Sequence, residues 1–297
     1  MSITEYKSCR LCARNCGVDR YTRLGYCRSG AEMSIARAAL HYWEEPPISG
    51  SLGSGTIFFS GCSLSCIFCQ NRDISRGRAG KEVSIQRLAE IMLDLKEKGA
   101  HNINLVTPTH YIPSIAESIR IAKAEGLDIP IVYNTGSYDN SSALKMLDGL
   151  VDIYLPDMKY FTSKVSGEMS LAPDYPLVCR DAIAEMVRQV GEPVFDDDGI
   201  MKKGVIVRIL LLPGHVAEAK LSLKYLVDTY GDGLYISLMN QYTPMTDMKS
   251  PLDRKVTREE YRQLTDYAEK LGLKNGFTQE FGTASESFIP PFDGSGV

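Results

Sequence analysis

After residue 50 the chain settles into one repeating pattern, in which short apolar runs alternate with amphipathic stretches of helical period. Candidate strands cover 55–61, 102–108, 130–135, 152–157, 204–212 and 234–239, and candidate helices 84–98, 113–125, 141–149, 173–190, 216–229 and 257–271. The strands are apolar on both faces, which suits parallel strands buried under helices. Ile85, Leu88, Met92 and Leu95 mark one face of the first helix, with Gly99 placed to end it. Thr257 and Glu260 make a capping box ahead of Tyr261, Leu264, Ala268 and Leu271. Six right-handed βα units predict an α/β fold, a partial (β/α)6 TIM-like barrel over residues 51–275.

Two flanks fall outside this pattern. Residues 1–50 read as a cysteine-rich metal-binding arm that ends in the stiff segment Trp43-Glu44-Glu45-Pro46-Pro47, and residues 276–297 as a C-terminal tail containing Gly and Pro. A net charge of −4 provides no basic stripe for a phosphate backbone, so nucleic acid is not an expected partner. The opening MSITEYKSCRLC lacks the apolar core of a signal peptide, and no apolar run reaches the roughly eighteen residues a membrane span needs. The expected location is therefore cytoplasmic. Thiols stay reduced there, so the eight cysteines read as metal ligands rather than disulfides. Seven of them fall in two clusters within the first 69 residues.

In βα barrels the active site lies at the C-terminal ends of the strands. Cys62 to Cys69 follow the first candidate strand, Thr107 to His110 the second, Asn134 the third, Asp157 and Lys159 the fourth, Pro213 the fifth and Asn240 the sixth. All are expected at one rim.

Cys62, Cys66 and Cys69 place three thiolates within eight residues, directly after a buried strand. Thiolates suit iron–sulfur clusters, zinc and Cu(I). A zinc knuckle completed by a distant ligand is one reading. A cubane with three cysteine ligands is the other, and it leaves one iron open for chemistry. The CxxxCxxC spacing at the end of the first strand resembles the motif of the radical S-adenosylmethionine (SAM) superfamily, whose partial barrel matches residues 51–275. GCSLSCIFCQN, LVTPTHY, IVYNTGSYD, DIYLPDMKY and VRILLLPG resemble the group related to pyruvate formate-lyase activating enzymes, and CQNRDIS is similar to the AmmeMemoRadiSam proteins.

The resemblance implies a [4Fe-4S] cluster on Cys62, Cys66 and Cys69 and the reductive cleavage of SAM to methionine and a 5′-deoxyadenosyl radical that abstracts a hydrogen atom. It further implies a flavodoxin- or ferredoxin-type electron donor and an anaerobic setting. The substrate divides into two classes: a glycine in the loop of a glycyl radical enzyme, or a small molecule or peptide. A non-enzymatic metal-binding or redox protein is the third option, against which the open-site spacing argues.

Thr107-Pro108-Thr109 occupies the position where the superfamily carries a GGE-like segment for the SAM amino group, so carbonyls and two hydroxyls replace a carboxylate. Asp157-Met158-Lys159 resembles the DxK segment in which lysine meets the SAM carboxylate; a surface ion pair is the alternative. Asn134 either hydrogen-bonds ribose or a cation, or caps a turn, and Asn240 with Gln241 is read in the same two ways. Arg208 interrupts the apolar run Val205–Leu212, where alternation puts it on one face with Ile206 and Leu210; a lumen-facing Arg208 would meet a SAM or substrate carboxylate.

Cys9, Cys12, Cys16 and Cys27 supply the four thiolates of a tetrahedral site, and either zinc or an auxiliary iron–sulfur cluster fits. Seven Lys/Arg against three Asp/Glu between residues 5 and 37 would suit either anionic centre. Cys179 shares a helix face with Ile183, Met186 and Val190 and reads as core. Phe195-Asp196-Asp197-Asp198-Gly199 reads as a turn rather than a calcium loop. Gly53 and Gly55 precede their strand, the wrong order for a dinucleotide fingerprint.

Overall fold

The computed structural model describes residues 3–280 and 290–297. After an irregular cysteine-bearing stretch come β1 (Met33–His41), α1 (Pro46–Ser49), β2 (Ser54–Phe59), α2 (Arg72–Ser75) and β3 (Lys81–Val83). The βα units continue through α3 (Ile85–Glu97), β4 (Ile103–Val106), α4 (Ile112–Ala124), β5 (Ile131–Thr135), α5 (Ser141–Leu144) and β6 (Ile153–Pro156). The second half contains α6 (Ser163–Ser170), α7 (Tyr175–Val190), β7 (Val194–Phe195), β8 (Met201–Leu210), α8 (Val216–Tyr230), β9 (Tyr235–Met239), α9 (Arg258–Lys270) and β10 (Gly276–Thr278).

The six expected strands form as β2, β4, β5, β6, β8 and β9, joined in that order by parallel pairing, and β10 adds a seventh parallel strand beyond β9. The sheet runs β10-β9-β8-β6-β5-β4-β2-β1-β3 and does not close. The outcome is a mixed α/β fold with an open, TIM-like partial barrel.

Each strand follows from local chemistry and acquires its place through packing. Ile57, Leu105 and Tyr133 pair in register across β2, β4 and β5 and turn into the core shared with α3 and α4. Val132, Ile153, Leu155 and Ile206 turn the other way and form an inner layer closed below by Ile48 of α1. Ser84 caps α3 by accepting from the Arg87 N–H, and Thr257 with Glu260 completes the capping box of α9.

Two differences from the sequence reading bear on the site. Residues 33–41 of the N-terminal stretch form β1, which pairs antiparallel with β2 and so belongs to the barrel sheet. Its Ala-rich, weakly alternating sequence has low β propensity, and pairing with β2 recruits it. The helix expected over 141–149 is one turn, α5, followed by a tighter turn over Lys145–Leu147. In the 276–297 tail, 276–278 are β10, whereas 281–289 lie outside the described residues.

Candidate active site

The loop after β2 is shaped by Gly61. Its φ is +89°, and a Cβ there would meet the Cys27 carbonyl oxygen at 2.7 Å, so only glycine fits. The Gly61 N–H donates to the Ile74 carbonyl, and the Cys62 N–H to the Cys27 carbonyl at 3.3 Å. The loop then turns back across the strand ends. Cys62, Cys66 and Cys69 border a cavity of about 160 Å³ together with Asn71, Thr107, Asn134, Asp157, Lys159 and Arg208. Those side chains come from the loop itself and from the ends of β4, β5, β6 and β8, with Asp157 and Lys159 both following β6.

Among the described residues, no three His, Cys, Asp or Glu side chains converge on a ready single-ion site. A cubane suits three sulfurs spread around a cavity, because each cysteine binds a different iron. Burial pushes the Cys62 thiol up, and Cys66 and Cys69 add to the shift; Cys69 is raised by burial and by Cys66. A cationic iron centre relieves both costs, since bound metal ionises its thiols. The Ser170 hydroxyl donates to Cys66 Sγ at 3.0 Å, and Ser75 Oγ lies 3.5 Å from Cys69 Sγ.

Opposite the cysteines stands a charged network. Arg208 donates from Nε to Asp157 Oδ1 at 2.8 Å, from Nη2 to Asn134 Oδ1 at 2.6 Å and from Nη1 to Glu44 Oε2 at 3.3 Å. Lys159 Nζ meets the other Asp157 oxygen at 2.6 Å. Burial would raise the Asp157 carboxyl, but Arg208 and Lys159 outweigh it and hold it below the usual range. Arg208 borders the cavity, and Ile206 of the same strand belongs to the inner layer, whereas Leu210, grouped with them by alternation, packs against the outer core.

Two expected residues lie elsewhere. Thr107 has φ +59° and borders the cavity, but the turn sends Thr109 into a buried network with Thr135 and Asp139. Asn240 turns to the 279–280 segment, with its N–H donating to Gln279 Oε1 at 2.9 Å. Neither borders the cavity. His110 sits behind the loop, with Nε2 donating to the Ser60 carbonyl at 2.8 Å.

Sequence reasoning missed Glu44 and Glu45. The segment after β1 crosses the lumen, where Glu44 Oε1 accepts from Asn104 at 3.0 Å and from Asn134 at 3.4 Å. A Glu pair ahead of two prolines was the available signal, since a stiffened acidic segment has few ways to lie.

Cys9, Cys12 and Cys27 are buried and Cys16 is exposed. A Cβ on Gly25 would lie 3.1 Å from Cys27 Sγ and 3.9 Å from Cys16 Sγ, so both sulfurs border one point. Burial, with Cys27, Cys9 and Cys16 adding, pushes the Cys12 thiol up to about 12. This quartet packs directly on the three-cysteine loop: Arg14 Nε donates to the Ser63 carbonyl at 2.8 Å while its guanidinium stacks 4.1 Å from the Tyr26 ring. Cys179 is fully buried on α7, and Asp196 Oδ1 accepts from Asp198 and Ile200 in the turn between β7 and β8.

The fold is an open parallel barrel with three cysteines around a cavity at the C-terminal ends of its strands. The family model described as Radical SAM superfamily matches residues 56–224, and the chain belongs to that superfamily, which implies a [4Fe-4S] cluster and SAM. It is similar to the uncharacterized protein MJ0674 of Methanocaldococcus jannaschii, at 28% identity over 279 residues, covering 90% of this chain and 76% of that one. Streptococcus suis SuiB bound to S-adenosylmethionine shares the fold with a TM-score of 0.52 and 18% identity over 76% of this chain and 52% of SuiB. This chain therefore spans about half the length of SuiB, which has also been seen bound to its precursor peptide SuiA. A domain of pyruvate-formate lyase-activating enzyme from Bacteroides vulgatus overlaps more loosely, with a TM-score of 0.41 and 14% identity over 57% of this chain and 92% of that domain.

Among the described residues no helix is long and apolar enough to cross a membrane.

Proposed function

We propose that this chain is a hydrogen-abstracting radical SAM enzyme that acts on a peptide or small molecule at the C-terminal mouth of its barrel. The observation that carries this reading is the single cavity bordered by Cys62, Cys66, Cys69, Asn134, Asp157, Lys159 and Arg208. When bound, the cluster and SAM supply reductive cleavage to methionine and a 5′-deoxyadenosyl radical. The protein holds the cluster through its three thiolates. Lys159 offers its ammonium to the SAM carboxylate, with Asp157 holding that ammonium in place. Thr107 and Asn134 offer polar atoms for the amino group and ribose.

Cys9, Cys12, Cys16 and Cys27 would hold a second centre, zinc or an auxiliary cluster, their sulfurs drawing together as it binds, since they do not converge on one ion beforehand. Its contact with the three-cysteine loop favours a role near the first. A flavodoxin- or ferredoxin-type protein is the electron donor. Activation of a glycyl radical enzyme is the second reading, favoured by the Asp157–Lys159 pair at the place of the activating enzymes' DxK segment.

Anaerobic incubation of the reduced, reconstituted protein with SAM tests the first reading. It should release 5′-deoxyadenosine, and the variant with Cys62, Cys66 and Cys69 all changed to Ala should release none. Wild-type protein that holds a cubane and binds SAM, yet yields no deoxyadenosine with any reductant, would overturn the reading.

A further inference from the structure

Beside the cysteine cavity lies a larger one of about 430 Å³, bordered by Tyr42, Trp43, Glu45, Ser237, Met239 and Phe277 among others. It shares Glu44, Arg208 and Gln241 with a smaller cavity of about 150 Å³. That one shares Asn71, Val106, Asn134 and Arg208 with the cysteine cavity. The three are therefore contiguous along the lumen, and a molecule in the largest reaches toward the three cysteines.

Charge in this channel is unbalanced. Among the described residues that border it, Arg208 and Lys159 are the two cations, while Asp157, Glu44 and Glu45 are three carboxylates. Arg208 and Lys159 hold Asp157, and Glu44 has both oxygens engaged by Asn104, Asn134 and Arg208. Glu45 is only 7% exposed and borders the large cavity, yet its Oε2 has no hydrogen-bond partner. A buried carboxylate oxygen left without a donor is costly, and such an atom at a cavity wall marks where a ligand's donor belongs.

We propose that the large cavity is the substrate site and that Glu45 receives a cationic group of the substrate, an ammonium or guanidinium on an apolar stem. This rests on the hydrogen-abstraction reading and specifies the substrate's chemistry. Tyr42 and Phe277 border the cavity and offer apolar surface for the stem. Burial, with Arg208 opposing, Glu44 adding, and its own N–H and the Ser237 hydroxyl lowering it, pushes the Glu45 carboxyl up to about 6, so it is ionised at neutral pH and Oε2 is the oxygen left for a ligand's donor. The charged groups facing it are Arg208 from β8 and Glu44 from its own segment. Its own segment also carries Tyr42; β9 contributes Ser237 and Met239, and β10 with its flank Phe277 and Gln279.

The test is anaerobic calorimetric titration of the reconstituted, SAM-loaded protein with Nα-acetyl-L-lysine methylamide and with its norleucine analogue, which lacks only the ammonium. The lysine compound should bind about tenfold tighter, and Glu45→Gln should bring the two within about twofold. In wild type, which needs no variant to fold, the preference should fade as pH falls through about 6. Equal affinities, no binding of either compound, or a lysine preference that survives in Glu45→Gln overturns the proposal. So does a loss of about tenfold in SAM affinity in Glu45→Gln, which would give this carboxylate to SAM. Lysine preference in a wild type that never cleaves SAM would support the cationic site and remove only the hydrogen-abstraction reading.

Discussion

Glu44 Oε2 and Arg208 Nη1 stand 3.3 Å apart inside the barrel, joining two residues 164 positions apart in the chain. Both side chains are largely buried, at 10% and 13% exposure, so neither charge is carried by solvent. Arg208→Met leaves Glu44 and Asp157 buried without their shared cation and should cost about 3 to 5 kcal/mol in chemical denaturation. Adding Glu44→Gln should cost less in that background than it does alone, because the pair is already broken. A loss under about 1 kcal/mol for Arg208→Met would mean that water reaches these carboxylates and that the network is not buried in solution.

Lys159→Ala should weaken SAM binding by about tenfold or more while changing stability little, because Arg208 continues to neutralise Asp157. SAM titrations and melting temperatures measured side by side separate the two effects. An unchanged SAM affinity with a large fall in melting temperature would make Lys159 structural.

The quadruple replacement of Cys9, Cys12, Cys16 and Cys27 by Ala should remove one equivalent of zinc or one cluster's iron and leave the spectroscopic signal of the three-cysteine cluster. Metal analysis and Mössbauer spectra of wild type and variant read both quantities. Loss of zinc would assign the quartet to stabilising its segment, since bound metal contributes directly to folding. Equal metal content would remove the second centre.

Burial, with Arg20 adding, pushes the His110 imidazole down to about 3, whereas an unfolded histidine titrates near 6.5. Between those values the unfolded chain binds the extra proton, so this residue's contribution to stability falls as pH falls, by up to about 1.4 kcal/mol per pH unit. It is restored as pH rises toward 7. His110→Gln, which keeps a donor for the Ser60 carbonyl, should show a shallower decline of its urea midpoint over that range. Parallel profiles for the two proteins would refute the assignment.

The six βα units were legible because strand and helix periods are local properties, and the capping box at Thr257 and the stop at Gly99 agree with them. The same holds for the grouping of Cys62, Cys66 and Cys69, since a loop of eight residues brings its own side chains together wherever it lies. Alternation along one strand grouped Arg208 with Ile206, but which face of the strand lines the lumen was decided by the packing of the whole sheet. The position of Thr109 was not accessible, because the left-handed turn at Thr107 decides which hydroxyl faces the cavity. Asn240 was not accessible either, because its partners lie in the 279–280 segment, about forty positions later.

By itself, then, the sequence determined the parallel barrel and the three-thiolate loop, since hydrophobic period and ligand spacing act over a few residues. Only the tertiary structure decided what fills the lumen. The antiparallel pairing of β1 with β2 sets His41 beside Ser54 and so delivers residues 42–46 at the N-terminal ends of the parallel strands, where Glu44 reaches Arg208 and Glu45 borders the largest cavity in the channel. A carboxylate's burial and partners depend on where distant segments close around it, and no local pattern in the chain encodes that.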